Sequence, residues 1–377
     1  MSEEGPPRRT GHLPPIERST LHLYQLYDIA NSIDLERAHS TLASPSARMR
    51  PVVTRGASIA MPQMPLVATM SQPTLTLAGL DLAGRLEARI YDLGVLAFRL
   101  VLALPDGLSW EQAVALTAAL QSGVGPALPL FDEALQRLKG ALAPALEQPN
   151  EAIRTEDYTV LLIERLGPGG PAAGLGGHPT LLRAALGEHR QLSAQAATLA
   201  TTLSYYQDDL IVLTWSGAVV VEPDPTAGED VTFLLEVANV QLLAFRTNDA
   251  EAERELGRIV PRLAEVRRLR WLGGRSATNF LHEIHSLIVD TTEVSGRAGN
   301  ALKVTEDVYW NRVYTAALGA LRVDVWRAGL DQTLDVLRQT AGLLADEAEA
   351  TRALLLLEVL VIVLIAVEVV IALGIHL

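Results

Sequence analysis

The spacing of apolar residues divides the chain near residue 230. Upstream of that point, short alternating runs predominate. Leu21-His-Leu-Tyr-Gln-Leu-Tyr27 keeps the two-residue period of a strand, and residues 34–42 have the spacing of a short helix. Residues 44–74, rich in Pro, Ser, Met and Arg, hold no sustained period and read mostly as loop. Residues 86–92 and 95–104 read as two strands turning at Asp92-Leu-Gly94. Ser109 opens a helix, with Gln112 at the capping-box position. A similar order follows: a strand over 158–166, helix over 180–202, then a hairpin of 210–214 and 218–222 around Trp215-Ser-Gly217. Strand, helix, hairpin, helix thus occurs twice, which predicts two related α+β halves that pair their sheets.

From residue 230 onward nearly all of the pattern is helical, as in a bundle of long hairpins. One helix or two run to about residue 272, with a break expected at Pro261. Another covers 276–294 after a bend at Gly273-Gly274, and Thr305 is placed to cap a third. From residue 321 the pattern runs on to the C-terminus. Within it Leu330, Leu334, Leu337, Ala341, Leu344, Ala348 and Leu355 form a heptad seam, continued upstream by Val323. Such a seam serves either packing within the chain or self-association.

The last helix ends in an apolar tract. Residues 353–375 carry charge only at Glu358 and Glu368. At ~1.5 Å per residue such a tract reaches roughly 34 Å, enough for a hydrocarbon core about 30 Å thick. It predicts a single C-terminal transmembrane helix, a tail anchor. Arg352 at its near end places the bulk of the chain on the cytoplasmic side, and no secretory signal opens the sequence. An acid inside such a span is costly. Glu358 is near enough to one end to reach headgroups. Glu368 is deeper, and is expected to hydrogen-bond across an oligomer seam, to handle protons, or to face lipid in its protonated form.

Three further features resemble the "required for meiotic nuclear division" (RMD) family. They are Asn300-Ala-Leu-Lys-Val-Thr-Glu-Asp-Val-Tyr-Trp-Asn-Arg-Val-Tyr314 with Trp326, the terminal Leu357-Glu358 and Leu364-Ile-Ala-Val-Glu-Val369, and Asp92-Leu-Gly-Val-Leu-Ala-Phe98. The resemblance covers residues 85–377 patchily, and the loop at 167–177 is unlike the family. It implies a membrane-anchored protein with no established catalytic activity, and supplies no catalytic residues. Eukaryotic relatives in that family sit at the mitochondrial inner membrane and support translation.

Composition narrows the chemistry. The net charge is -13, which repels nucleic acid unless a basic patch forms locally. Lys139 and Lys303 are the only lysines among 31 basic residues, a bias expected of a GC-rich, bacterial genome. Cysteine is absent, so disulfides, thiol catalysis and cysteine metal sites are excluded. The basic patch is Arg254, Arg258 and Arg262 on one helical face, followed by Arg267, Arg268, Arg270, Trp271 and Arg275. It suits anionic lipid, RNA or a ribosomal partner. The interleaved Glu251, Glu253, Glu255 and Glu265 equally suit a solvated helix with local ion pairs.

Other motifs fall short. The glycine-rich stretch at 167–177 lacks the Lys-Ser/Thr pair of a phosphate loop and is followed by His178-Pro179. His282-Glu-Ile-His285 has the wrong spacing for a zincin helix and no third ligand beyond Asp290. Ser216 sits in a tight turn and not in a nucleophile elbow.

The sequence therefore predicts an α+β fold followed by a long-helix bundle and a transmembrane helix. The expected divisions are a disordered tail over 1–19, an α+β domain over 20–229, a bundle or coiled-coil stalk over 230–352, and an anchor over 353–377. The expected function is a non-enzymatic, self-associating scaffold in the inner membrane of a bacterium. It would need no cofactor and no metal, with Glu358, Glu368, Leu330, Leu337 and Leu344 as its membrane and assembly residues. An adaptor using the arginine patch and an enzyme in the α+β domain are the alternatives.

Overall fold

A computed structural model describes residues 13–42, 46–49, 52–54, 57–120, 125–169, 171–268, 274–299, 303–304 and 308–374. The chain divides into two units, one formed by residues 1–247 and 296–326 and the other by 248–295 and 327–377.

The first unit is built on two unusually long strands. β1 (Ile16–Ile33) and β9 (Leu146–Leu166) pair antiparallel, with Tyr24 opposite Tyr158. On one side of this pair β8 (Val95–Ala103) joins β1, and β7 (Leu80–Ile90) joins β8, making the hairpin expected from the sequence. Beyond β7 come β5 (Leu66–Ser71) and β2 (Ser46–Arg48), and β6 (Thr74–Leu77) folds back on β7. On the other side, β12 (Gly217–Val221) lies parallel to β9 and forms the predicted hairpin with β11 (Leu210–Leu213), which pairs with β10 (Thr201–Leu203). A small separate sheet joins β3 (Val52–Thr54), β4 (Ala57–Ala60) and β13 (Lys303–Val304).

Two glycines permit this closeness. Gly94 has φ 84°, and a Cβ there would stand 1.7 Å from the Ala30 carbonyl oxygen, so the β7–β8 turn requires glycine. A Cβ on Gly217 would meet the Ala185 and Thr159 carbonyl oxygens at 2.6 and 2.7 Å, where β12 slips under α4 (Pro179–Leu186).

Alternation along the strands gives the sheet two unlike faces. One carries Leu21, Leu23 and Tyr27 of β1, Phe98 and Leu100 of β8, and Leu161 and Ile163 of β9. It packs against α1 (Leu35–Thr41), α2 (Trp110–Ala118), α3 (Leu128–Leu142) and α4, which contribute Leu35, Val114, Phe131 and Leu181 among others to a single apolar core. The other face carries His22, Tyr24, Glu87, Arg89 and Arg99 and meets α5 (Pro225–Arg268). Residues 230–245 of α5 are buried on every side. α7 (Val308–Ala320) covers part of it, with the Tyr314 hydroxyl donating to Gln241 Oε1 at 2.5 Å.

The helical stretches of the second unit are α5 from Asn248, α6 (Gly274–Gly299) up to Ser295, and α8 (Val323–Gly374) from Arg327. α8 is a single helix of 52 residues.

Several expectations are corrected here. Residues 46–48, 52–54, 57–60 and 66–71 are strands where loop was expected, and β1 begins inside the expected tail, at Ile16. The helix expected over 180–202 ends at Leu186, where Gly187 takes a left-handed cap. α5 continues through Pro261. Thr305 and Gly273 lie outside the described residues.

The largest correction concerns the transmembrane helix. Among the described residues no helix is long and apolar enough to cross a membrane. In the apolar tract, side chains are described only from Ala353 to Ile365, with Leu355 excepted. Within the tract, Glu358 and Glu368 interrupt the apolar run, and an acid inside a span is costly. The tail anchor, the single-pass topology and the inner-membrane placement fall with it.

Candidate functional site

Titratable groups concentrate under α5. Glu229 and Glu236 are seven residues apart, two helical turns, so both point from α5 toward the same strands. Glu236 Oε2 accepts from Arg89 Nη1 at 2.6 Å, and Oε1 accepts from the Tyr91 hydroxyl at 2.5 Å. Arg89 also lies over the Phe233 ring at 5.7 Å. Glu229 takes two hydrogen bonds from Arg99 Nη2, at 2.6 and 2.7 Å, while Glu87 stands 3.9 Å from Arg99 Nη1. The register sets Glu87, Arg99 and Tyr24 in one row across β7, β8 and β1, which is why three strands deliver this cluster to one spot. Tyr24 closes it by donating to the Thr232 carbonyl oxygen at 3.5 Å.

Burial sets the protonation of these groups. It raises the Glu236 carboxyl above the usual carboxylate range, against the pull of Arg89 and Tyr91. It pushes the Tyr24 hydroxyl up to about 12. His22 is held well below its ordinary value by burial first and by Arg99 next.

His22 also has a defined tautomer. Arg99 Nη2, which can only donate, lies 3.2 Å from His22 Nδ1, so Nδ1 accepts and the hydrogen sits on Nε2. Nε2 then donates to Thr20 Oγ1 at 2.9 Å. Thr20, His22 and Arg99 thus have the spacing of a nucleophile, base and orienting group with the polarity reversed. The imidazole gives a hydrogen bond to the hydroxyl and cannot take its proton.

The predicted assembly residues occupy the second unit. Leu330, Leu337 and Leu344 are 0, 0 and 5% exposed within the single chain, as are their seam neighbours Leu334 and Ala341 at similar levels. Ala252, Ile259, Phe280 and Ile284 on α5 and α6 are buried too. Asp249 lies beside Gly329, and the Arg338 guanidinium reaches Thr292 Oγ1 at 3.4 Å. From Asp249, α5 runs out at Arg268, about level with residue 348 of a helix beside it with the same rise. Beyond that point the described side chains of α8 are exposed. Leu354, Leu356, Leu357, Leu360 and Ile362 are 61–71% exposed, and Val359, Val361, Val363, Leu364 and Ile365 are 45–57% exposed. Glu358 is exposed among them, and the side chain of Glu368 lies outside the described residues.

The described arginines of the patch, Arg254, Arg258 and Arg262, are each paired with a glutamate. Arg254 is 4.0 Å from Glu251, Arg258 is 2.5 Å from Glu255, and Arg262 grips Glu283 with two bonds while lying over Phe280 at 4.9 Å. The side chains of Arg267, Arg268 and Arg270 lie outside the described residues. His282 and His285 are exposed, with His285 Nδ1 on its own helix's Leu281 carbonyl oxygen at 2.9 Å. Among the described residues no three His, Asp or Glu side chains cluster as metal ligands would. Trp215 and Ser216 sit at the β11–β12 turn, with the Ser216 amide 3.4 Å from Thr214 Oγ1.

Sequence reading missed the charged cluster. Its only trace was the polar set on alternate positions of otherwise apolar strands, His22 and Tyr24 on β1 and Arg99 on β8.

No curated protein and no solved structure matches the chain. A family model does, over residues 18–227, which is the sheet with its covering helices and the start of α5. Nothing links that family to RMD proteins, and nothing in the match supports a bacterial source. Since the match takes in more than half of the sequence, the chain belongs to the archaeal family described as "Uncharacterized protein MJ0711, N-terminal domain".

Proposed function

We propose that this protein is a non-enzymatic docking scaffold. Its first unit is a fixed platform, and the exposed apolar end of α8 is the surface through which it associates with protein. The observation that carries this reading is the run of ten large apolar side chains between Leu354 and Ile365, each at least 45% exposed. Monomers rarely expose contiguous apolar patches larger than a few hundred Å², and larger ones mark interaction sites. The platform reading is supported by the cluster under α5, whose carboxylates hold its arginines and whose imidazole faces Thr20 in the non-catalytic tautomer.

The arginine-patch adaptor is less well supported, because its described arginines are paired with glutamates of the same unit. The test is the size of the native complex in cell extract. The full chain should run in a complex larger than the free protein, and Ile362→Glu should return it to the free size. Equal sizes for the two would remove the docking reading.

A further inference from the structure

The docking surface has an unusual form, since it occupies the whole circumference of a helix. Residues 359–363 step through five successive helical positions about 100° apart, so they face every direction around the axis, and all are 45–65% exposed. A single flat partner, or a groove of the kind that accepts an amphipathic helix, would cover one stripe and leave the opposite side in water. Covering all sides takes several apolar helices at once.

Each chain supplies one such helix, and its heptad spacing is already suited to helix packing. Steps of four and three from Leu344 lead through Leu355 and Glu358 to Ile362 and Ile365. The seam that is buried within the chain up to Leu344 is therefore continuous with the bare tract. We infer that the ends of α8 from several copies of this chain pack together into one bundle, so that the protein is a homo-oligomer joined at its C-terminal helix. The inference rests on the docking reading and names its partner.

The available area fits. At about 25 cal/mol per Å², with about 1.5–3 kcal/mol for burying an aliphatic side chain, each presents roughly 60–120 Å². Ten of them, somewhat over half exposed, offer on the order of 600 Å² per chain. That approaches the roughly 800 Å² per partner of a standard interface, and in a bundle each helix meets more than one neighbour. Glu358 falls on the seam, so the bundle carries one carboxyl per chain at that level. Such a group weakens packing while restricting register and stoichiometry. Glu358→Leu should tighten the assembly and broaden its distribution of sizes.

Because the chain contains no cysteine, a single introduced cysteine can cross-link only to another copy. Leu357→Cys, Leu360→Cys, Ile362→Cys and Val363→Cys, made one at a time in the full chain, sample different sides of the helix. Mild oxidation of the purified protein should give disulfide dimers at positions on more than one side, and Ser109→Cys should give none. Absence of cross-linking at all four positions, at concentrations of tens of micromolar, would overturn the inference. Monomers that float with phosphatidylcholine vesicles would also overturn it, by assigning the tract to a lipid surface. If the purified chain fails to cross-link yet runs in a large extract complex that Ile362→Glu abolishes, the copy is the wrong partner and the docking reading stands. If neither is seen, both fall.

Discussion

Under α5 the first unit buries charge, while at the end of α8 the second exposes hydrocarbon. Each reverses the usual distribution, but they differ in whether the groups find partners within the chain. Arg89 and Glu236 are 7 and 0% exposed at the side chain and answer each other at 2.6 Å. A buried ion pair of that kind is bound by its own geometry, since removing either member strands the other. The described leucines, valines and isoleucines between 354 and 365 are each at least 45% exposed in the single chain. Internally matched charge thus belongs to the fold, and the unmatched apolar surface is where the proposed association would take place.

The sharpest way to break the comparison is to unpair the charge. Glu236→Ala should cost about 3–5 kcal/mol, because it leaves the Arg89 guanidinium buried without its carboxylate. Urea unfolding would measure it, and a cost under ~1 kcal/mol would mean that water reaches the cluster. Replacing both members, Arg89→Leu with Glu236→Leu, should recover most of that loss, since apolar pairs of similar volume often substitute for buried ion pairs with little change.

The next effect depends on pH. In the unfolded chain His22 takes a proton near pH 6.5, whereas in the folded chain it does so only at lower pH. Below about 6.5 the unfolded state therefore binds more protons, and stability is lost as pH falls. His22→Gln should lose less of its urea midpoint between pH 7 and pH 5 than the wild type does. Parallel losses would show that His22 does not carry the slope. Asp92, Asp157 and Glu236, all raised by burial, contribute with the opposite sign and are common to both proteins.

The smallest effect is expected at the rim of the cluster. Glu229 is 48% exposed at the side chain, so solvent screens its pairing with Arg99. Glu229→Gln, which keeps a hydrogen-bond acceptor, should cost under about 1 kcal/mol. A loss as large as that of Glu236→Ala would make the two clamps equivalent and contradict the ordering by burial.

Legibility in the sequence followed the source of each signal. The hairpin turn at Gly94, the capping box at Ser109 and a strand through Tyr158 depend on local turn chemistry and alternation, and the structure has all three, although that strand already begins at Leu146. The strands at 46–77 were not legible, because short edge strands get their order from neighbours and not from their own period. Pro261 read as a break, yet α5 continues through it, since a proline inside a helix can kink it without ending it. The heptad seam of α8 was legible, but whether it packs within the chain or between chains was not. Burial of Leu330, Leu337 and Leu344 in the single chain assigns that part to the fold and moves the candidate surface beyond Ala353. The cluster under α5 was illegible because it joins residues from 22 to 236, brought together only by strand register.

One measurement bears most directly on the central claim: sedimentation equilibrium of the purified full chain beside Ile362→Glu, with urea unfolding of both. The wild type should sediment at a multiple of 40.6 kDa and the variant at 40.6 kDa. Their folding should be equally stable to within about 0.5 kcal/mol, as expected of a change at an exposed position. A wild type that sediments at 40.6 kDa, or a variant that remains assembled at the wild-type mass, would contradict self-assembly of this protein through the end of α8.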